Sequence, residues 1–237
     1  MKKVLLYSNG MDSWLIDKIW KPDIKLYVDM KTRYSEEELK RLPPDVQVFE
    51  FPLGQWELDN AIIPLRNMYL FMVACNLTEF EDVEICLGSL KFDRSNDKQP
   101  EFIDKLQAVF DYVYQPQWWL PNGKKVKLNL EFKKYSKPDL VRLFVEQGGD
   151  INDVWNCSFS CYDPVDGHEC LACKPCIRKA TACLLNGYKM ERDKLETVIG
   201  NIKKTILPAI QDGTYGRGEE EKEVLELMKM YEEGKLY

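Results

Sequence analysis

Val4-Leu5-Leu6-Tyr7-Ser8-Asn9-Gly10-Met11-Asp12-Ser13 decides the fold. Val4 to Tyr7 is a short apolar run, Ser8-Asn9-Gly10 ends it, and Ser13 to Trp20 reads as helix. Strand, tight loop and helix in that order open a βαβ unit. Ile24 to Val28 supplies the next apolar run and Val46 to Phe51 a third, with Ser35 to Arg41 between them as a helix candidate. Parallel strands joined by helices are the economical arrangement.

The alternation continues downstream. Pro64 suits the first position of a helix, and Leu65 to Leu77 is apolar on nearly every face, which predicts a deeply packed helix. Val83 to Leu87 predicts a buried strand ending at Gly88. Phe102, Leu106, Val109 and Phe110 recur at helical spacing, as do Leu140, Leu143 and Phe144 after Pro138. Ile177 to Leu185 reads as a helix closed by Asn186-Gly187. Glu219 to Glu233 carries Val224, Leu227, Met228 and Tyr231 on one face, so it is expected to be amphipathic, with its acidic run a solvated face.

At 237 residues the chain can bury a substantial core as one domain, alone or with an appendage. Its 45% hydrophobic and 30% charged residues leave little room for long disorder. A net charge of −6 argues against a surface built for broad contact with duplex nucleic acid, and no direct nucleic-acid partner is expected. Ser8 to Asp12 interrupts the apolar N-terminus before a signal-peptide core forms. No apolar run approaches the roughly 18 residues that span a bilayer. The cytoplasm is the expected compartment, with no membrane partner.

Five of the eight cysteines fall between Cys157 and Cys176, which in a reducing compartment points to metal or redox chemistry rather than disulfides. Cys170, Cys173 and Cys176 stand at two-residue gaps and a longer loop returns Cys161, a set that suits a closed tetrahedral zinc site. The competing readings are a metal-free group of core cysteines and an iron–sulfur site. Cys157 and His168 are rival ligands to the four, while Cys75, Cys86 and Cys183 lie in apolar elements and read as core.

Ser8 to Ser13, set between strand and helix, can cradle a phosphate with backbone N–H groups and two hydroxyls, and Asp12 can help hold magnesium. The alternative is a strand-to-helix turn capped by Ser or Asp. Arg66-Asn67 opens an otherwise apolar helix, and Arg66 needs either a bound phosphate or carboxylate or an internal ion pair.

Together these motifs resemble the 7-cyano-7-deazaguanine synthase family, the QueC-like branch of the PP-loop ATP pyrophosphatases, from residue 4 to about 188. The family's Ser-Gly-Gly-x-Asp-Ser loop is met by Ser8, Gly10, Asp12 and Ser13, with Asn9 where the family usually has glycine. Its Pro-x-Arg-Asn motif is met by Pro64, Arg66 and Asn67. Gly88, Asp93, Asp97 and Pro100-Glu101-Phe102 resemble its later Gly with acidic residues leading into a Pro-Glu-Phe segment, Ser136-Lys137 its Ser/Thr-Lys step, and Ser160-Cys161-Tyr162 its entry to the zinc loop, with Arg178 the basic residue after the last ligand.

The resemblance implies a Rossmann-like α/β fold of the adenine nucleotide alpha hydrolase type. A PP-loop nucleotide-binding domain is expected over residues 1–150, with a helical, zinc-binding region over 151–237 packed on it. It implies an ATP-dependent ligase converting 7-carboxy-7-deazaguanine and ammonia to the nitrile base through an adenylated acid and an amide, for queuosine in tRNA or deazaguanine in DNA. Alternatives are an enzyme that stops at the amide or adenylates another acid, and an inactive zinc-bearing binding protein. Implied catalytic residues are Asp12, Ser13, Arg66, Asp97 and Lys137. Implied ATP and magnesium contacts are Ser8, Asn9, Gly10, Met11, Asp12, Ser13, Arg66, Asn67 and Gly88. Cys161, Cys170, Cys173 and Cys176 are the implied structural zinc ligands, and a homodimer is implied.

Overall fold

The computed structural model describes residues 1–236. Its elements are β1 (Lys2–Leu6), α1 (Met11–Trp20), β2 (Ile24–Asp29), α2 (Ser35–Leu39), β3 (Val46–Glu50), α3 (Arg66–Leu77), β4 (Val83–Cys86), α4 (Pro100–Val113) and β5 (Val126–Asn129). There follow α5 (Lys137–Glu146), α6 (Ile151–Cys157), α7 (Lys174–Leu185), α8 (Arg192–Asn201), α9 (Leu207–Gln211) and α10 (Glu220–Glu232). Two compact units result. One holds residues 1–9, 16–89 and 93–133, the other residues 10–15, 90–92 and 134 onward.

The first unit is built on a five-stranded parallel sheet of order β3-β2-β1-β4-β5. In register Val4 faces Ile24 on one side and Ile85 on the other, and Ile85 faces Leu128. Val4 and Leu5 point to opposite faces and both are fully buried, which is why central β1 reads as a continuous apolar run rather than an alternation. At the edge, β3 leaves Val48 and Phe49 exposed. Helix α3 packs on β1, β2 and β4, and α4 on β5, so Phe71, Ala74, Ile103, Leu106 and Phe110 join the strands' core residues.

Two sequence expectations need correction here. Helix α3 begins at Arg66, not Leu65, and Pro64 lies in the preceding turn. Leu65 sits at φ 60°, a left-handed conformation that cannot continue a right-handed helix. Nor is α3 buried all round: Phe71, Ala74 and Cys75 are buried, whereas Met72 is exposed.

The second unit is helical and centres on α7, against which α5, α6, α8 and α10 pack. Helix α7 begins at Lys174, three residues before the expected start, with Pro175 in its first turn, and the chain leaves through Gly187 at φ 87°. There Tyr188 N–H donates to Cys183 O at 3.0 Å and Gly187 N–H to Leu184 O at 3.1 Å, the left-handed stop expected of Asn186-Gly187. The acidic run of α10 is not simply a solvated face. Glu220 is buried, accepting from Arg178 Nε at 2.8 Å and Nη2 at 2.9 Å and from Tyr215 Oη at 2.9 Å. A carboxylate so enclosed survives because a guanidinium fork and a hydroxyl replace its water. Among the described residues, no helix is long and apolar enough to cross a membrane.

Candidate functional site

In the first unit, Ser8-Asn9 follows β1 and Gly88 follows β4. These strands are neighbours, and the order turns from descending to ascending between them. The carboxyl edge at such a switch point is where open parallel sheets bind ligands. Asn9 adopts φ 60°, as a glycine would. Its carboxamide is engaged on both sides: Oδ1 accepts from Tyr7 Oη at 2.7 Å and Nδ2 donates to Arg41 O at 3.0 Å. The side chain is thus a built part of the turn, buried to 6% exposure.

Arg66 and Asn67 open α3 in the same unit. Asp97 Oδ2 accepts from Asn67 N–H at 3.3 Å, and Ser95 Oγ donates to the other oxygen of that carboxylate. Asp97 thereby caps the Asn67 N–H in the first turn of α3. Asn67 is 2% exposed and its Oδ1 has no hydrogen-bond partner, so the acceptor fits an N–H donor from a ligand. Burial pushes the Glu38 carboxyl up, while the hydroxyl of Tyr27, at 2.8 Å, and the charge of Arg66 pull it back. Asp93 takes Lys98 Nζ at 3.1 Å.

In the second unit, residues 10–15 carry the start of α1. Ser13 Oγ donates to Gly10 O at 3.1 Å, and Met11 N–H donates to Ser160 Oγ at 3.2 Å. Lys137 in the first turn of α5 donates to the Asp12 carboxylate, bringing together two of the expected residues 125 positions apart. Ser136 and Asp139 form a reciprocal capping box that fixes where α5 begins and so where Lys137 emerges.

The four expected cysteines converge. The Sγ atoms of Cys161, Cys170, Cys173 and Cys176 lie within 4.8 Å of one another. Individual separations are 3.4 Å for 173 to 176 and 4.0 Å for both 170 to 176 and 161 to 173. A tetrahedron of thiolates about 2.3 Å from zinc has edges of about 3.8 Å. Backbone N–H groups of Asp163 and Cys170 donate to Cys161 Sγ at 3.3 Å, and that of Cys173 to Cys170 Sγ at 3.3 Å. Such donors stabilise thiolate charge, so the set fits a four-sulfur metal site. The hydrogen bond between Cys173 and Cys176 holds the Cys173 thiol below the ordinary cysteine range and pushes Cys176 above it. Cys157 and His168 are exposed and stand outside the group, and Cys75, Cys86 and Cys183 are fully buried core. His168 closes a small hairpin with Val165 across Asp166-Gly167, both at positive φ.

One buried charged side chain beside the cysteine site went unread in the sequence. Lys179, 1% exposed, donates to Trp155 O at 2.9 Å, Ser158 O at 2.6 Å and Glu169 Oε2 at 3.0 Å. Glu169 Oε1 accepts from Ser160 N–H at 2.5 Å. A polar chain therefore runs from Lys179 through Glu169 and Ser160 to Met11 N–H. The available signal was position: Cys176, Lys179, Ala180 and Cys183 make one helical stripe, and a lysine there must be buried and paired.

Comparison with known proteins finds relatives of one kind. The chain is 26% identical over 142 residues to a 7-cyano-7-deazaguanine synthase of Leptospira biflexa, covering 59% of this chain and 55% of that protein. It is 29% identical over 132 residues to a synthase of the same name from Archaeoglobus fulgidus, covering 54% and 50%. A third so named, from Methanococcus aeolicus, is 26% identical over 131 residues, covering 53% of each. The chain spans about half the length of the curated relatives it matches. No solved structure matches. A family model described as "Queuosine biosynthesis protein QueC" matches residues 44–187, which takes in Arg66, Asn67, Gly88, Asp97, Lys137 and the four cysteines but not the loop from Ser8 to Ser13. With well over half of its residues matched, the chain belongs to the QueC family.

Proposed function

We propose that the chain is an ATP-dependent ligase that converts 7-carboxy-7-deazaguanine and ammonia to 7-cyano-7-deazaguanine. The observation that carries this reading is the pairing of Asp12 with Lys137, which joins the phosphate loop to the Ser-Lys step.

The substrate carboxylate attacks the α-phosphorus of ATP, forming the acyl adenylate and expelling pyrophosphate. Ammonia adds to the acyl carbon and AMP leaves, giving the amide. A second ATP activates the amide oxygen, and loss of AMP with two protons leaves the nitrile. None of these steps needs a protein nucleophile; positioning and absorption of developing charge suffice.

In this reading the backbone from Ser8 to Ser13 holds phosphate oxygens at the start of α1, where peptide dipoles favour negative charge. Lys137 offers its ammonium to the same anionic centre, and in the first unit Arg66 offers a cation at the start of α3. Asn67 Oδ1 accepts from an N–H of a bound base. Gly88 gives close backbone approach, and Asp97 positions Asn67 through its cap on α3. Magnesium, when held by Asp12, would offset phosphate charge. Zinc, when held by the four cysteines, would fix the loop that presents Ser160 to Met11. We assign the reaction to the cytoplasm, and the product to queuosine or deazaguanine modification.

The test is nucleotide accounting with purified protein, magnesium, ATP, ammonium and the acid. AMP and pyrophosphate should appear in equal amounts, two of each per nitrile. Release of ADP and phosphate, or no dependence on the acid, would refute the reading.

A further inference from the structure

A small cavity in the helical unit lies among α5, α7 and α10, with room for a water-sized molecule. Lys137, Arg178, Thr181, Glu220 and Glu223 reach it, and Phe92 and Tyr215 add aromatic wall. Its cationic residues are already paired: Lys137 with Asp12, and Arg178 with both oxygens of Glu220. Glu220 also accepts from Tyr215. The acceptors with capacity left are different ones. Thr181 is 4% exposed and its Oγ1 has no hydrogen-bond partner, and Glu223 contributes a half-buried carboxylate.

A site of this size that offers acceptors and aromatic surface suits a compact donor rather than an anion. Water offers two donors to such acceptors, whereas ammonium brings four donors and a charge that answers the carboxylates. Lys137 belongs both to this cavity and to the Asp12 pair, so a nitrogen bound here is one side chain from the phosphate loop.

We propose that this cavity binds ammonium and delivers ammonia as the nitrogen substrate, with Thr181 Oγ1 and the Glu223 carboxylate as its acceptors. The proposal deepens the ligase reading and rests on it. The proton balance closes within the site: ammonium gives one proton to the Glu223 carboxylate, leaving a neutral acid and ammonia whose freed lone pair attacks the acyl carbon. Burial, Glu220 and Asp139 raise the proton affinity of Glu223, against the Ser136 hydroxyl and Arg178, bringing it to about 7.

Thr181→Val is nearly isosteric, and Glu223→Gln provides a second variant. Loss of one hydrogen bond to a charged group predicts a rise of about tenfold in KM for ammonium relative to KM for ATP in either variant. Independently of turnover, ammonium chloride should raise the wild-type Tm more than equimolar sodium chloride does, and Thr181→Val should remove that difference. An unmoved KM ratio, or the same ammonium-specific Tm shift in the variant, would overturn the proposal. If wild-type protein shows no acid-dependent ATP–pyrophosphate exchange in the absence of ammonium, the ligase reading fails instead, and the Tm comparison still decides the ammonium site.

Discussion

Lys179 Nζ and Glu169 Oε2 meet at 3.0 Å beneath the cysteine loop, both almost wholly shielded from water. Each has further hydrogen bonds that replace its lost hydration: two carbonyls on the lysine and the Ser160 N–H on the carboxylate. Removing the lysine leaves a buried carboxylate without its counter-charge, which typically costs about 3–5 kcal/mol. Lys179→Met should therefore lose stability on that scale in denaturant unfolding. A loss below about 1 kcal/mol would show that the pair does not hold the loop.

Asn9 combines a left-handed backbone with two side-chain hydrogen bonds. Asn9→Gly relieves a modest backbone cost but forfeits bonds worth about 0.5–1.5 kcal/mol each. The variant should be less stable by about 1–2 kcal/mol while keeping its turnover and KM for ATP. A marked gain in activity on replacing Asn9 would mean that its side chain obstructs the phosphate site.

The cysteine site predicts one zinc per chain by elemental analysis. Cys173→Ser should abolish stoichiometric zinc and lower the Tm, because metal binding to such sites contributes directly to folding. Full stability in a zinc-free chain would refute a structural metal.

Burial raises Glu223 from its ordinary 4.5 to about 7. Between those values the folded chain holds a proton that the unfolded chain releases. The stability contributed by this group is fully present below pH 4.5 and lost as pH rises through 7. Glu223→Gln does not ionise, so its Tm should gain on that of the wild type between pH 5 and pH 8. Parallel curves across that window would contradict the raised affinity.

Much of this was legible before the structure. The runs at Val4, Ile24 and Val83 became β1, β2 and β4 because buried parallel strands are apolar on both faces, and the run at Val46 became the edge strand β3, whose Val48 and Phe49 stay exposed. Strand β5 escaped notice because Val126-Lys127-Leu128-Asn129 offers only two apolar residues, with Lys127 paired to Glu84 at 2.6 Å. Helix α6 went unread for a similar reason, since its seven residues bury only Val154, whereas α8 carries Leu195, Val198 and Ile199 at helical spacing, a signal the sequence did offer. The cysteines were legible because ligand spacing is local. The Arg178–Glu220 and Lys179–Glu169 pairs were not, since the helical stripe marks Lys179 as buried but nothing local names either partner until the fold joins them.

The central claim is that this chain makes the nitrile base, and the mass of the base after incubation with 7-carboxy-7-deazaguanine, ammonium, ATP and magnesium tests it most directly. Conversion of the acid to the nitrile by the wild type, and none by Asp12→Ala that is folded by circular dichroism, is the predicted result. Accumulation of the amide alone, unchanged acid, or full conversion by Asp12→Ala would contradict it.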